Sequence, residues 1–454
     1  MPQKPRVDLA GIAGPEGHLY ADPQPSQDES AFQVDNVSDQ YYQSAFYKAN
    51  QYKVQPIPQP RTGAPLHLDL ADFLPQNLLD SIDQEGKIVF HAVGDTGAAK
   101  SPPKQSVAVS IADEAAVADA MTADVQSGGD TGPAFFFHLG DIIYNFGEAQ
   151  YYYDQFYEPY RDYDRPIFAI PGNHDGMVFG PTSTAPQVPT LAAFLTNFCA
   201  AGPGPSPDAP TVTRSVMTQP GAYFTLDAPF VSIIGLYSNV LDKGGGIISS
   251  RGGHFPLVDE QLTFLTSELA RLKPDRQAGK RAIIVAVHHP PLSVDAKSGG
   301  STALMQDIDA CSTKATQWPD VVLSAHAHLY QRFTRTVNGR QVPYIVSGSG
   351  GFAATPPMGG SPPRGTVIGD HKLEIDPIVK FGYLTLTTDA KTITVTFKTA
   401  LRNGGVTQRD SVTLDLESGR ITASGGGAAP GPGPKPRKRP NPAPKPQKKK
   451  KGKG

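Results

Sequence analysis

Three apolar runs in the N-terminal half of the chain each end in a glycine followed by polar residues. They are Lys87–Asp95 (KIVFHAVGD), Ala134–Asp141 (AFFFHLGD) and Arg165–Asp175 (RPIFAIPGNHD). Short, continuous apolar runs rich in β-branched and aromatic residues predict buried strands. The Ala-rich segment that begins at Asp113 predicts a helix with this aspartate as its N-cap, and a helical stretch is predicted at Gln150–Tyr157. Strands that alternate with helices indicate a parallel sheet with crossover connections.

The remainder of the chain predicts further helices and strands. A short helix is expected at Asp72–Ile82, with Pro75 in its first turn, and an amphipathic helix is expected at Asp259–Leu272. Two predicted strands carry histidines, Arg281–Pro291 (RAIIVAVHHPP) and Asp320–Arg332 (DVVLSAHAHLYQR). Additional β-rich runs are GAYFTLD, FVSIIGLY, QVPYIVSGSGG, FGYLTLTTD and TITVTFKTA.

The two ends of the chain differ in composition from the part between them. Residues 1–65 are polar and rich in Pro and Gln without a sustained period, so we expect an irregular extension. Residues 66–422 are expected to form one domain, and 39% hydrophobic residues in a chain of 454 are ample for its core. Residues 423–454 are rich in Pro, Gly and Lys, a composition that predicts disorder.

Charge is distributed unevenly along the chain. The formal net charge is −2, but ten Lys and Arg residues and no acidic residue follow Ser424. The body is therefore acidic and the tail is basic. Such a tail is usually a solvated extension, and contact with nucleic acid or an anionic surface is the alternative interpretation.

Cysteine usage and hydrophobicity limit the cellular location. Cys199 and Cys311 are the only cysteines, too few for a disulfide framework or a cysteine zinc site. The N-terminus lacks the apolar run of a secretory signal, and no stretch approaches the ~20 apolar residues of a membrane helix. We therefore expect a cytoplasmic protein without a membrane span, with export from a differently placed start codon as the alternative.

Polar side chains gather at the ends of the predicted strands, where sheets with parallel strands bind their ligands. The set is Asp95, Asp141, Asn173, His288, His326 and His328, with Tyr144 three residues after Asp141. Oxygen and imidazole donors without a thiolate suit two divalent or trivalent first-row metal ions. Two such ions ~3.5–4 Å apart can hold a bridging hydroxide as nucleophile and clamp a phosphoryl group.

Five short blocks, GDTG, GDIIY, GNHD, VAVH and AHAH, occur in this order along the chain. In these blocks the sequence resembles the calcineurin-like metallophosphoesterases, and within them the purple acid phosphatase branch. The resemblance covers roughly Lys87 to Ala400. It implies an α/β sandwich, two mixed β-sheets flanked by helices, with the metal ions at one edge. It also implies a metal-dependent phosphoric ester hydrolase.

The resemblance assigns a role to each block residue. The first metal ion would bind Asp95, Asp141, Tyr144 and His328. Asp141 would bridge to the second metal ion, which adds Asn173, His288 and His326. The resemblance places His174 against the phosphate, where it would protonate the leaving oxygen as a general acid.

Tyr144 is the most informative residue of this set. Most of the superfamily has a metal-binding histidine at the position of Gly97, whereas purple acid phosphatases have glycine there and a tyrosine at the position of Tyr144. A phenolate is a hard, anionic donor suited to Fe(III). The expected cofactor is thus Fe(III) together with Fe, Zn or Mn. The alternative is that Tyr144 only packs with Tyr151, Tyr152 and Tyr153.

Two departures from the family pattern bear on the site. Ala325 replaces the usual glycine of the last block, which would cost about 1 kcal/mol if that position requires a positive φ. His288 and His289 are adjacent, and although the VxxH spacing favours His288 as the ligand, a swap with His289 stays open.

The function expected from the resemblance is hydrolysis of phosphomonoesters, as in an acid phosphatase. A phosphodiesterase or nucleotide hydrolase of the same superfamily, with Mn, Zn or Fe/Zn, is one alternative. A catalytically silent binding module is another, although the complete set of metal donors argues against it. The expected partner is a small-molecule phosphoester.

Overall fold

The computed structural model describes residues 57–425 except 62, 64, 99–105, 145–146, 177–189, 213, 239–245, 251–258, 297–298, 355–356 and 358–361. Most of the predicted extension of 1–65 and nearly all of the predicted tail of 423–454 lie outside these residues. Within the described part, Ile57 is buried in the core and Arg61 binds backbone carbonyls of Thr218 and Gln219. Residues 423–425 belong to the last strand, so regular structure extends three residues into the predicted tail.

Two mixed β-sheets flanked by helices form the domain, as predicted. The nine-stranded sheet has the order β1-β5-β6-β7-β8-β10-β9-β12-β11. Its strands are β1 (His67–Asp69), β5 (Phe224–Ala228), β6 (Phe230–Leu236), β7 (Arg281–Val287), β8 (Val321–Ser324), β9 (Tyr330–Val337), β10 (Arg340–Ser347), β11 (Val367–Ile368) and β12 (His371–Leu373).

The second sheet has seven strands in the order β16-β15-β14-β13-β2-β3-β4. They are β2 (Lys87–Val93), β3 (Phe136–His138), β4 (Ile167–Ala169), β13 (Gly382–Asp389), β14 (Thr392–Ala400), β15 (Val406–Asp415) and β16 (Arg420–Gly425). Strands β2, β3 and β4 are parallel, and so are β6, β7 and β8 in the other sheet. The carboxyl ends of these parallel strands carry the predicted metal donors.

The helices of the described residues are α1 (Gln76–Glu85), α2 (Val107–Gly128), α3 (Ala192–Phe198), α4 (Glu260–Gln277) and α5 (Thr302–Ala315). Short 3₁₀ turns lie at Leu70–Asp72, Gly129–Thr131 and Ala149–Tyr151, and a π-helix at Tyr153–Tyr157. None of the described helices is both long enough and apolar enough to cross a membrane.

Several predicted boundaries are wrong, each for a local reason. Helix α1 begins after Pro75, which is its N-cap residue rather than part of its first turn. Helix α2 begins seven residues before its predicted start, because the hydroxyl of Ser106 caps it by accepting the amide of Val109. Asp113 lies inside that helix and pairs instead with Arg402.

Two predicted elements are each divided in two. The predicted helix at 150–157 is a 3₁₀ turn followed by the π-helix. The predicted strand at 320–332 is interrupted between β8 and β9, because His326 adopts a left-handed φ of 63° that no strand continues through.

The two sheets are joined by a buried ion pair as well as by apolar packing. Arg332 on β9 binds Asp410 on β15 through Nε–Oδ2 and Nη2–Oδ1 contacts of 2.6 and 3.0 Å. Tyr330 donates its hydroxyl to the same carboxylate at 2.7 Å, and its ring stacks on Phe397 of β14. Since all of these groups are buried, Asp410 must neutralise a cation that water cannot reach.

Replacing Asp410 by alanine should leave the buried guanidinium of Arg332 without its counter-charge. We expect the free energy of unfolding, measured by urea denaturation, to fall by about 3–5 kcal/mol. The control is Glu85→Ala, which breaks an exposed pair with Lys87 and should change stability little. Equal stability losses in the two variants would contradict this account of the sheet contact.

Candidate metal centre

All seven predicted metal-binding side chains lie together at the carboxyl ends of the parallel strands. Asp95, Asp141 and Asn173 follow β2, β3 and β4, and His288 follows β7 directly. His326 and His328 follow β8, and Tyr144 lies on the loop after Asp141. Every one of these residues is at least 93% buried. The two sheets therefore each contribute one part of a single site.

The backbone is left-handed at three of these residues. Asp95, Asp141 and His326 have φ angles of 59°, 54° and 63°, which cost roughly 1–2 kcal/mol each for a residue with a side chain. Hydrogen bonds within the site hold two of them, since the amide of Asp95 donates to Gly140 and the amide of His326 donates to the Asp95 carboxylate. Such strain is typical of functional sites.

The strain lies beside Ala325 rather than on it. Ala325 is not among the left-handed residues, and the positive φ belongs to the following His326. The cost of about 1 kcal/mol that a positive φ would impose on this alanine is therefore absent. Its methyl group instead fills the space next to Gly94, where an added Cβ would lie only 2.6 Å from it.

The phenol of Tyr144 points into the site. Its oxygen lies 2.9 Å from Asp95 Oδ1, 3.1 Å from Asp141 Oδ2 and 3.4 Å from His328 Nε2. Burial, followed by the charges of Asp141 and Asp95, raises the pKa of Tyr144 well above its usual value. The phenol has only one hydrogen to share among these close acceptors. A cation between them would resolve this crowding.

The ring of Tyr144 packs within the site. It stacks on Phe352 with centroids 3.6 Å apart and contacts the ring of His174 at 4.4 Å. Its apolar cluster comprises Phe352 and Ala353, whereas Tyr152 belongs to the main core. This placement differs from the packing with the 151–153 tyrosines that was the alternative.

Two histidines present their Nε2 atoms to the carboxylates. In His328, Nδ1 donates to the carbonyl of Ala353 at 2.8 Å and Nε2 lies 3.2 Å from Asp95 Oδ1. In His288, Nδ1 donates to the carbonyl of Leu139 at 2.9 Å. The carbonyl acceptors assign the Nδ1–H tautomer to both rings when neutral. This leaves both Nε2 lone pairs available, as in metal-binding histidines.

Asp141 and His288 form a charged pair among the predicted ligands of the second metal ion. His288 Nε2 is buried 3.2 Å from Asp141 Oδ2 but is not aligned with it in a hydrogen bond. Burial lowers the pKa of His288, but the charges of Asp141 and Asp95 outweigh it and raise the pKa to about 9. Burial alone would raise the pKa of Asp141, but His288 and His174 hold it well below its usual range.

Donor atoms of Asp141, His288 and His326 lie within 4.8 Å of one another, close enough to hold one metal ion. Asn173 Oδ1 lies 2.9 Å from His326 Nδ1 and so borders this trio. The unaligned, buried Nε2 of His288 fits a metal ligand, and so does the chemistry of the donors.

The adjacent His289 is instead bound to Ser238 through its ring at 2.6 Å and its amide at 3.1 Å. This geometry favours His288 over His289 as the donor.

His174 is partly buried beside these donors. Its backbone amide donates to Asp141 Oδ1 at 2.9 Å, while its ring lies against Tyr144. This arrangement fixes the backbone of the GNHD turn on the central carboxylate. The imidazole is therefore held at the edge of the donor cluster.

Asp175 and Phe352 also shape the site, although sequence reasoning gave neither of them a role. Asp175, the last residue of GNHD, accepts the backbone amides of Ile142, Ile143 and Gly172 and so joins two loops. Burial and the charge of Asp141 raise its pKa to about 7, against the effect of these amides. Phe352 stacks on Tyr144 and donates its amide to the Asp95 carbonyl. The acid in GNHD was a usable signal, whereas Phe352 lies in a segment that the sequence left without a role.

Steric contacts exclude a side chain at position 97 in this structure. A Cβ atom on Gly97 would lie 3.0 Å from Tyr144 Cδ2 and 2.6 Å from both Gln155 Oε1 and the carbonyl of Ile142. A side chain at position 97 would thus collide with Gln155 and the Ile142 carbonyl and would also crowd the ring of Tyr144.

Comparison with known proteins gives a family and several solved structures of low sequence identity. Residues 88–330 match the family described as calcineurin-like phosphoesterase. A purple acid phosphatase from yellow lupin (Lupinus luteus) seeds is 14% identical with a TM-score of 0.47, over 74% of this chain and 53% of that one. The chain thus spans about half the length of the lupin protein.

Two further solved structures are similar to the chain. GAP50, the anchor in the inner membrane complex of Plasmodium, is 13% identical over 75% of this chain and 88% of that one, with a TM-score of 0.46. PhoD is 12% identical over 81% of this chain and 73% of that one, with a TM-score of 0.44. No curated protein sequence matches the chain significantly.

Metal binding near neutral pH should release a proton from His288, because its pKa of about 9 keeps it protonated in the metal-free protein. The contribution of His288 should therefore make the affinity for Zn²⁺ rise with pH up to about 9. Calorimetric titration of metal-free protein in buffers of different ionisation enthalpy measures the released protons. His288→Gln should release about one proton fewer, and an unchanged count would refute the assignment.

Proposed function

Because the chain belongs to the calcineurin-like phosphoesterase family, we propose that it hydrolyses phosphomonoesters at a binuclear metal centre. Fe(III) would occupy the first site, and Fe, Zn or Mn the second. The observation that carries this proposal is the position of the Tyr144 phenol among Asp95, Asp141 and His328. A phenol held between two carboxylates is suited to ionise on a hard trivalent cation.

The chain's own residues would divide into two ligand groups around one shared carboxylate. Asp95, Tyr144 and His328 would hold the first ion, and Asn173, His288 and His326 would hold the second. Asp141 has contacts with members of both groups, which supports a bridging role. When bound, the metal ions would supply Lewis acidity, lowering the pKa of water and neutralising the charge of the phosphoryl group.

His174 would assist the leaving group. Its amide is fixed on Asp141, so its side chain stays beside the metal donors without being assigned to them. A partly exposed imidazole there can donate a proton to the departing alkoxide. The buried surroundings would exclude bulk water from the reacting phosphate, which strengthens each electrostatic contact.

The proposed reaction is tested by metal analysis and a substrate panel on purified full-length protein. We expect two metal ions per chain and faster hydrolysis of monoesters than of diesters or nucleotides. Faster diester or nucleotide hydrolysis would replace the monoester assignment. Full metal occupancy without any hydrolysis would instead indicate a binding module.

Asp141→Ala should abolish activity and reduce the binding of both metal ions together, because one carboxylate serves both. Elemental analysis and turnover of a monoester check this result. Asp309→Ala, which removes a carboxylate from the pair with Arg335, is the matched control and should retain metal and activity. Near-normal turnover in Asp141→Ala would exclude the binuclear proposal.

Tyr144→Phe keeps the ring stacked on Phe352 but removes the donor oxygen. With iron bound, the unmodified protein should show a broad visible absorption from tyrosinate-to-iron charge transfer. The band should vanish in the variant, and the first metal ion should bind more weakly, while stability changes little. Tyr151→Phe should leave the band intact. A colourless, iron-free, fully active enzyme would rule out the Fe(III) assignment.

His174→Ala should retain metal but lower kcat by ~10²–10⁴, because a general acid is lost. The loss should be smallest for nitrophenyl phosphate, whose leaving group needs little protonation. His371→Ala on β12 is the control for a distant histidine, and its kcat should be unchanged. Loss of metal in His174→Ala would make His174 a ligand instead.

A further inference from the structure

Gln155 holds the backbone of the residue that carries the phenol. It is completely buried in the π-helix. Its Oε1 accepts the amide of Tyr144 at 2.9 Å and its Nε2 donates to the carbonyl of the same residue at 3.0 Å. The same Oε1 also accepts the amide of Ala98 at 3.1 Å. One side-chain amide thus joins the Asp95 loop to the Tyr144 loop.

The local helix geometry places Gln155 in this position. A 3₁₀ turn at Ala149–Tyr151 precedes the π-helix, and π-helical turns occur often at functional sites. The Gln155 amide also fills the space beside Gly97, where an added Cβ would lie 2.6 Å from Oε1. Gly97, Tyr144 and Gln155 therefore depend on each other sterically.

We propose that Gln155 is a positioning residue that sets Tyr144 at ligand distance from the first metal ion. This inference rests on the proposed role of Tyr144. Stacking on Phe352 restrains the ring of Tyr144. Stacking alone leaves the ring free to slide in its plane, whereas the two backbone hydrogen bonds fix the Cα atom from which the ring extends.

The chain contains a second glutamine that binds the backbone of a tyrosine in the same way and can serve as a matched control. Gln261 is also completely buried, accepts the amide of Tyr237 at 2.8 Å and donates to its carbonyl at 2.7 Å. Neither Gln261 nor Tyr237 is one of the proposed metal donors. Gln261→Met therefore removes the same pair of hydrogen bonds from another tyrosine.

The experiment is a double-mutant cycle in which Zn²⁺ is titrated into metal-free full-length protein by calorimetry. Gln155→Met should weaken binding at the first site by about 10–100-fold, as loss of a residue that orients a ligand does. In the Tyr144→Phe background the same substitution should have little further effect. Gln261→Met should leave Zn²⁺ affinity unchanged. With iron bound, Gln155→Met should also shift or weaken the visible band.

Each result has a defined meaning. If Tyr144→Phe alone leaves the affinity unchanged, the proposed ligand role of Tyr144 fails, and the inference fails with it. If Tyr144→Phe weakens binding but Gln155→Met does not, only the role of Gln155 is refuted. An equal loss in both backgrounds also refutes it, because Gln155 would then act on the fold in general. Should Gln155→Met not fold, Gln155→Asn decides: it keeps an uncharged amide but on a shorter side chain, and it should show a loss of the same kind.

Discussion

The site depends on one buried carboxylate, that of Asp141. It lies within reach of the Tyr144 phenol, the His288 imidazole and the amide of His174. The charge of a buried carboxylate must be stabilised by fixed hydrogen-bond donors or cations, and here these groups come from both sheets. An added Cβ on Gly172 would lie only 2.1 Å from Asp141 Oδ1, so the backbone at Gly172 leaves room for this carboxylate. The packing of the two sheets thus determines whether the donors meet.

Side chains, rather than regular secondary structure, hold the loops at the strand ends. Backbone amides beyond the last residue of a strand lose their sheet partners and need others when buried. Asp175 supplies an acceptor for three such amides. Gln155 and Gln219 each bind both the amide and the carbonyl of one residue. These contacts convert loops, which are usually mobile, into a rigid frame for metal donors.

The fold class and the family follow from the sequence, and both are confirmed. Runs such as Ala134–Asp141 carry their own signal, because continuous apolar residues before a Gly-Asp pair predict a buried strand that ends at a polar edge. Boundaries were less predictable. Ser106 and Asp113 are both good N-caps; the helix begins at Ser106, whose hydroxyl accepts the amide of Val109, while Asp113 pairs with the distant Arg402. The roles of the predicted ligands stay predictions, although the fold brings the residues together.

The sequence by itself determined which chemical groups are present and in what order, because each block is local and a strand end needs no distant partner to be recognised. The link between Gly97 and Tyr144 came from the resemblance to a known family that these blocks carry. Tertiary structure alone decided that His288 rather than His289 faces Asp141, and that Phe352 and Gln155 hold Tyr144. The contact of Gln155 depends on how one connection folds, and the other contacts depend on the twist of strands and the packing of two sheets. Such packing joins residues far apart in sequence, and no local pattern encodes it.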